Sequence, residues 1–309
     1  MSELMIDVVD VRKTFRDVTA LDGVSIAVPA GTVHGLLGHN GAGKTTLINV
    51  LTTLFPPTGG TATVAGFDVV GKGAEVRRRI GVTGQFASVD DDLTGTQNLV
   101  LLGRLLGASR RAATRRAAEL LDVFGLAEAA DRPAAGYSGG MRRRLDLASS
   151  LVGRPAVVFL DEPTTGLDPE SRRGMWEIVR NLVDGGTTVL LTTQYLEEAD
   201  RLADSITVLS HGKVVAAGSA ADLKGRVGRR TVSATLAVAA DIGPALDTLR
   251  RAGLDPLQSG RTLTAAVDSS RSLAVVVRAL DDAGIEPDEL GLHEPTLDDV
   301  YLTLTGARP

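Results

Sequence analysis

Short β-branched runs alternating with amphipathic helical stretches, from Leu4 to about Gly218, predict an α/β fold. Strand-like runs vanish between Thr94 and Leu151, where Ala, Leu and Arg dominate, so a helical subdomain covering about residues 90–153 is inserted into the α/β core. After a Gly- and charge-rich stretch, Lys224–Arg230, strands and helices alternate again. The expected organisation is therefore a first domain over residues 1–223, a linker at 224–230, and a small C-terminal α/β domain over 231–309.

In chain order, the strands expected in the first domain are Val24–Val28, Val33–Leu37, Thr61–Val64, Ile80–Thr83, Val157–Leu160, Thr188–Thr192 and Ile206–Leu209. The C-terminal domain is expected to run as strand Thr231–Val238, helix Pro244–Arg251, strand Thr262–Val267, helix Leu273–Asp282, the segment Glu286–Leu292, and a last helix near Leu297–Thr305. No internal repeat or low-complexity tract interrupts the pattern.

Composition narrows the function. With 309 residues, 43% hydrophobic and 23% charged, the chain lies in the ordinary globular range. A formal net charge of −5 excludes a chain held as a whole on nucleic acid by phosphate neutralisation. The count of 0 Cys excludes a disulfide framework and thiolate chemistry, and fits a reducing compartment. MSELMIDVVDVRKTF carries no basic segment followed by an apolar one, so no signal peptide is expected. A membrane-spanning helix needs about 20 mostly apolar residues. Uninterrupted apolar runs such as Ala156–Leu160 and Leu273–Val277 are far shorter, so a pore would have to come from another polypeptide.

Gly38-His39-Asn40-Gly41-Ala42-Gly43-Lys44-Thr45-Thr46 matches the G-x-x-x-x-G-K-[ST] phosphate loop, placed between strand Val33–Leu37 and a helical run that ends before Pro56-Pro57. Its glycines let successive backbone N–H groups, from Asn40 to Thr46, wrap the phosphates of a nucleotide. The helix N-terminus adds partial positive charge, Lys44 reaches the β- and γ-phosphates, and the Thr45 hydroxyl is a Mg²⁺ ligand. Val157–Leu160 ends in Asp161-Glu162. Alone, that pattern equally describes a buried strand with an acidic loop. Beside a phosphate loop it supplies Asp161 for the metal and Glu162 as general base toward the attacking water.

Tyr137-Ser138-Gly139-Gly140-Met141 resembles the ABC transporter signature, usually written LSGGQ, and Asp161-Glu162-Pro163-Thr164-Thr165-Gly166-Leu167-Asp168 resembles that family's Walker B and D-loop. With the phosphate loop, Gln85 at the Q-loop place and Phe15 at the place of an adenine-stacking aromatic, the resemblance covers residue 4 to about 220. It implies a P-loop ATPase of the ABC type, with ATP and Mg²⁺ as cofactors and Gln85 joining Thr45 and Asp161 at the metal. It also implies head-to-tail pairing of two copies, in which Ser138, Gly139, Gly140 and Met141 face the partner's nucleotide. Further implied are integral membrane permease partners and a place at the cytoplasmic face of the membrane.

Asp92–Leu99, Tyr137–Asp146 and the ending Glu294–Tyr301 look most like the daunorubicin-resistance type of antibiotic and multidrug exporter ATPase. Two positions depart from the general pattern. Met141 replaces the signature Gln, and Gln194 stands where most members carry the switch His, so catalysis assigned to Glu162, Lys44 and Gln194 would proceed without a titrating switch. Two other readings belong to different classes. A soluble ABC ATPase acting on DNA or ribosomes usually has two nucleotide domains or a long coiled coil, neither of which occurs here. A non-hydrolysing, ATP-dependent interaction module is suggested only by Gln194. The four His are scattered without ligand spacing, His39 reads as loop filler, and the basic runs Arg77-Arg78-Arg79 and Arg142-Arg143-Arg144 read as solvated or partner-facing. The C-terminal domain, which has no phosphate loop, is expected to regulate or assemble.

Overall fold

The structure, a computed structural model, describes residues 3–84, 89–227, 230–267, 271–294, 296–297 and 300. The chain divides into two compact units, residues 1–220 and 221–309.

The first unit begins with an antiparallel hairpin, β1 (Leu4–Phe15) and β2 (Val18–Pro29), followed by β3 (Val33–Leu37) and α1 (Lys44–Leu51). Next come β4 (Gly59–Val64), β5 (Phe67–Asp68), α2 (Gly73–Arg77) and β6 (Ile80–Thr83). Three helices then run without an intervening strand: α3 (Gly95–Leu105), α4 (Arg110–Val123) and α5 (Gly139–Ser150). Each has a side-chain N-cap, Thr94, Ser109 and Ser138, whose hydroxyl accepts one of the unpaired first-turn N–H groups. The unit closes with β7 (Val157–Asp161), α6 (Pro169–Asp184), β8 (Thr188–Thr193), α7 (Leu196–Leu202), β9 (Ser205–Ser210) and β10 (Lys213–Gly218).

Two sheets result. One is antiparallel, in the order β2-β1-β4-β5. The other has the order β10-β9-β3-β8-β7-β6 and is parallel except at the β10–β9 edge. β7 and β8 are buried along their whole length, as parallel strands covered on both faces must be. Their alternate residues feed two cores: Val158, Leu160, Val189 and Leu191 pack with the helices α3 to α6, whereas Val157, Phe159 and Leu190 pack with α1 and the antiparallel sheet. The C-terminal ends of neighbouring strands β3, β8 and β7 therefore lie side by side, where open α/β sheets bind ligands.

α8 (Ala220–Val227) starts at the division between the units. Lys224–Val227, expected as linker, is helical instead: one Gly in a helix costs only about 1 kcal/mol against Ala, and Leu223 of the same helix is fully buried. The second unit contains β11 (Arg230–Leu236), α9 (Ile242–Arg251), β12 (Pro256–Ser259), β13 (Thr262–Val267), α10 (Arg271–Asp282) and β14 (Pro287–His293). Its antiparallel sheet has the order β12-β13-β11-β14 over a core that includes Val232, Leu249, Val276 and Leu280. Of the expected last helix, Leu297 and Val300 are helical and buried. Its remaining positions, apart from those two, lie outside the described residues.

Candidate nucleotide site

The loop after β3 bends back so tightly that side chains are excluded at two glycines. A Cβ on Gly38 would lie 2.7 Å from Leu209 O, and one on Gly43 would lie 2.8 Å from Ala20 O at a left-handed φ of 108°. Gly43 also caps α1, so the first-turn N–H groups of that helix open into a cleft of about 830 Å³. Asn40, Gly41, Gly43, Lys44, Thr45 and Thr46 line this cleft, and Ala42 is packed beneath it with no exposed surface. Lys44 is buried and its Nζ donates to Gly38 O at 2.6 Å and His39 O at 3.2 Å. Burial pushes the Lys44 pKa below the usual lysine value, and the Glu162 and Asp161 carboxylates oppose that shift.

Across the cleft stands the end of β7. Asp161 is buried, with Oδ1 accepting from the Thr192 hydroxyl on β8 and Oδ2 accepting from Thr45 Oγ1 at 3.4 Å. Strand β8 and helix α1 thus each deliver one hydroxyl to the carboxylate at the end of β7. Glu162 follows at φ 50°, a left-handed conformation that costs a non-Gly residue about 1–2 kcal/mol. Its N–H is held by Thr192 O at 3.1 Å and Thr192 Oγ1 at 3.2 Å, while Oε2 accepts from Thr165 Oγ1 at 3.2 Å. Lys44, Thr45, Asp161 and Glu162, far apart in sequence, all line the one cleft.

Helix α5 opens with the Ser138-Gly139-Gly140-Met141 sequence. Ser138 Oγ accepts from Met141 N at 3.2 Å, and a Cβ on Gly140 would lie 2.7 Å from Ser171 Oγ, so the second Gly permits close approach of α6. Gly139 lines the cleft, while Met141 packs against the helical core. The basic run that follows is a correction to the expected solvated face. Arg143 is turned inward toward β7, Arg144 donates to Phe124 O at 3.1 Å, and Arg142 reaches Asp91 and the carbonyls of Ala134 and Ala135. No sequence pattern marks these acceptors, because nearly all are backbone carbonyls.

The remaining expected residues divide. His39 lines the cleft rather than merely filling the loop; its Nδ1 donates to Asn40 O at 2.6 Å and its ring meets that of His211 at 5.2 Å between centroids. Phe15, 39% exposed at the end of β1, stands edge-on to Phe55 with Lys13 Nζ 4.9 Å from its ring centroid, and is not part of the cleft lining. Gln194 is exposed just past β8 and likewise outside that lining. Gln85 lies outside the described residues. Ala20, at the mouth of the cleft, was not indicated by any motif.

Comparison with known proteins agrees with this geometry. Residues 21–165 match the ABC transporter family. The chain is 51% identical to a daunorubicin resistance ATP-binding protein of Streptomyces coeruleorubidus, over 99% of this chain and 97% of that one. It is 49% identical to a doxorubicin resistance ATP-binding protein of Mycobacterium tuberculosis (96% and 92%) and 38% identical to a Nod factor export ATP-binding protein of Ralstonia nicotianae (98% and 94%). A solved structure described as the ATP-binding subunit of an ABC transporter is 27% identical with TM-score 0.65, covering 72% of this chain and 92% of its own. Phosphate loop, strand-end carboxylates and signature helix on a P-loop α/β fold, with relatives of this identity along nearly the whole chain, make it a member of the ABC transporter family, an ATP-hydrolysing ATP-binding subunit.

Proposed function

We propose that the chain powers export of an antibiotic-like or lipid-like small molecule through a separate permease. The observation that carries this is the 51% identity to a daunorubicin resistance protein, which extends over both units and not only the ATPase core. No helix among the described residues is long and apolar enough to cross a membrane, consistent with a pore contributed by other chains at whose cytoplasmic face this subunit docks.

In this reading the loop from Asn40 to Thr46 binds the phosphates, and Phe15 offers its exposed ring to the base. Two copies pair head to tail, so that Ser138 to Met141 of one reach the nucleotide of the other. Thr45 Oγ1 and Asp161 Oδ2, 3.4 Å apart, form the hard oxygen donor set that suits Mg²⁺. A bound Mg²⁺ would neutralise phosphate charge as it develops. Glu162 takes a proton from the attacking water, Lys44 holds the terminal phosphates, and Gln194 closes on the γ-phosphate from the end of β8. The second unit regulates or assembles the complex.

Inverted membrane vesicles containing the chain and its permease test the proposal. ATP-dependent accumulation of daunorubicin or a related amphipathic compound is expected. Vesicles that hydrolyse ATP but accumulate none of a panel of such compounds would refute the exporter assignment.

A further inference from the structure

We infer that Arg143 is a positioning residue that holds the Glu162 turn in its working shape and ties it to the signature helix of the same chain. The inference rests on Glu162 being the general base.

Arg143 Nε donates to Pro163 O at 2.9 Å, and Nη2 donates to both Asp161 O at 3.0 Å and Glu162 O at 2.9 Å. Its Nη1 donates to Gly84 O at 3.0 Å and reaches Asp146 Oδ2, one turn along α5, at 3.4 Å. Four carbonyls from two separate segments therefore converge on one guanidinium. Only a planar fork with five N–H donors serves them all; an ammonium is a point donor. The side chain is 14% exposed and the Asp146 side chain not at all, so the bonds form largely away from bulk water, where an unserved carbonyl is costly.

The clamp acts where the backbone is least relaxed. Glu162 sits at φ 50°, a conformation that persists only when its surroundings over-determine it. Thr192 holds the N–H side of this residue, and Arg143 holds the carbonyls of Asp161, Glu162 and Pro163. Both peptide planes that flank Glu162 are thus fixed, which defines where its carboxylate begins. Arg143 lies one turn into the helix that Ser138 caps, so a rotation of α5 moves the donor that these carbonyls share. The Gly84 bond extends the same clamp to the residue before Gln85. The signature and the base of one chain are therefore mechanically joined through a single side chain.

Single-turnover hydrolysis of Mg²⁺-ATP by the full-length chain, alongside ATP-binding titrations, tests this with R143K, R143Q, E162Q and the R143Q/E162Q double variant. R143K keeps a cation beside Asp146 and so separates loss of the fork from loss of charge, and its retained ATP binding reports that it is folded. Both Arg143 variants should keep ATP affinity within about 3-fold yet hydrolyse about 10- to 100-fold more slowly, as for a misplaced catalytic group. In the E162Q background R143Q should cost less than about 2-fold, because nothing remains to position. Near-normal hydrolysis in R143K and R143Q would overturn the inference, and so would an R143Q penalty that is equally large with and without Glu162. An E162Q variant that hydrolyses at the wild-type rate would instead remove the general-base reading on which the inference stands.

Discussion

Thr165 Oγ1 donates to Glu162 Oε2 at 3.2 Å, so the carboxylate after β7 is steadied by a hydroxyl three residues further along its own turn. Glu162→Gln keeps the shape and that acceptor but cannot take a proton. Hydrolysis should fall by about 10²- to 10⁴-fold, the usual contribution of a positioned base, while ATP binding persists and ATP-bound dimers accumulate. Rapid-quench measurement of phosphate release together with an equilibrium binding titration checks both halves.

Lys44→Ala should act on binding itself. A hydrogen bond to a charged group is worth about 1.5–3 kcal/mol, so ATP affinity should fall by about 10- to 150-fold with the rest of the loop intact. Calorimetric titration with ATP measures it, and unchanged affinity would separate Lys44 from the phosphates.

Gln194 is exposed just past β8, and in the proposed mechanism it meets the γ-phosphate only on closure of the site. Gln194→Ala should therefore slow single-turnover hydrolysis and leave ATP affinity nearly unchanged, since it removes a contact used on the way to the transition state. Gln194→His should retain activity and introduce an acidic limb near the ordinary His pKa of about 6.5. Wild-type rates in the Ala variant across pH 5.5 to 8 would take Gln194 out of the reaction.

His34, buried in β3 between Ser205 Oγ at 2.8 Å and Thr207 Oγ1 at 3.0 Å, is held neutral, with burial lowering its pKa to about 4. The unfolded chain takes up this proton near pH 6.5, well before the folded chain does. Stability contributed by the neutral ring is thus complete above pH 6.5 and is lost as pH falls toward 4, by roughly 3 kcal/mol in all. Urea unfolding of wild type and His34→Gln at pH 7.5 and 4.5 should show a smaller difference between the two pH values in the variant.

Truncation after residue 228 should leave ATP binding in place and weaken pairing or permease association. Sedimentation of the shortened chain with nucleotide tests this, and loss of ATP binding by a folded truncation would move the functional boundary.

Much of the site could be read from the sequence because its chemistry is local. The phosphate loop, the Asp161-Glu162 pair and the Ser138 cap are short contiguous motifs, and the strands Val33–Leu37, Ile80–Thr83 and Thr262–Val267 have the expected bounds. β1 escaped because its inward residues Ile6, Val8 and Val11 lose their two-residue spacing at the register shift between Val8 and Val11. β12 is an edge strand with Pro256 as its one buried residue, which leaves no alternation to detect. Arg143 escaped for another reason: a basic residue whose partners are distant carbonyls looks the same in sequence as one facing water.

The burial of β7 and β8 on both faces has a consequence for how the chain finds its native pairing. VVFLD and TVLLTT are apolar toward either core, so sliding one strand by a residue would exchange one greasy surface for another with little hydrophobic penalty. What forbids the slip is polar. Asp161 pairs directly with Thr192 in the ladder, and a shift either way breaks that pair; toward Leu191 it leaves the buried carboxylate with no hydroxyl opposite to receive from. The carboxylate that faces Lys44 and Thr45 in the cleft is also the notch that locks two featureless strands into alignment.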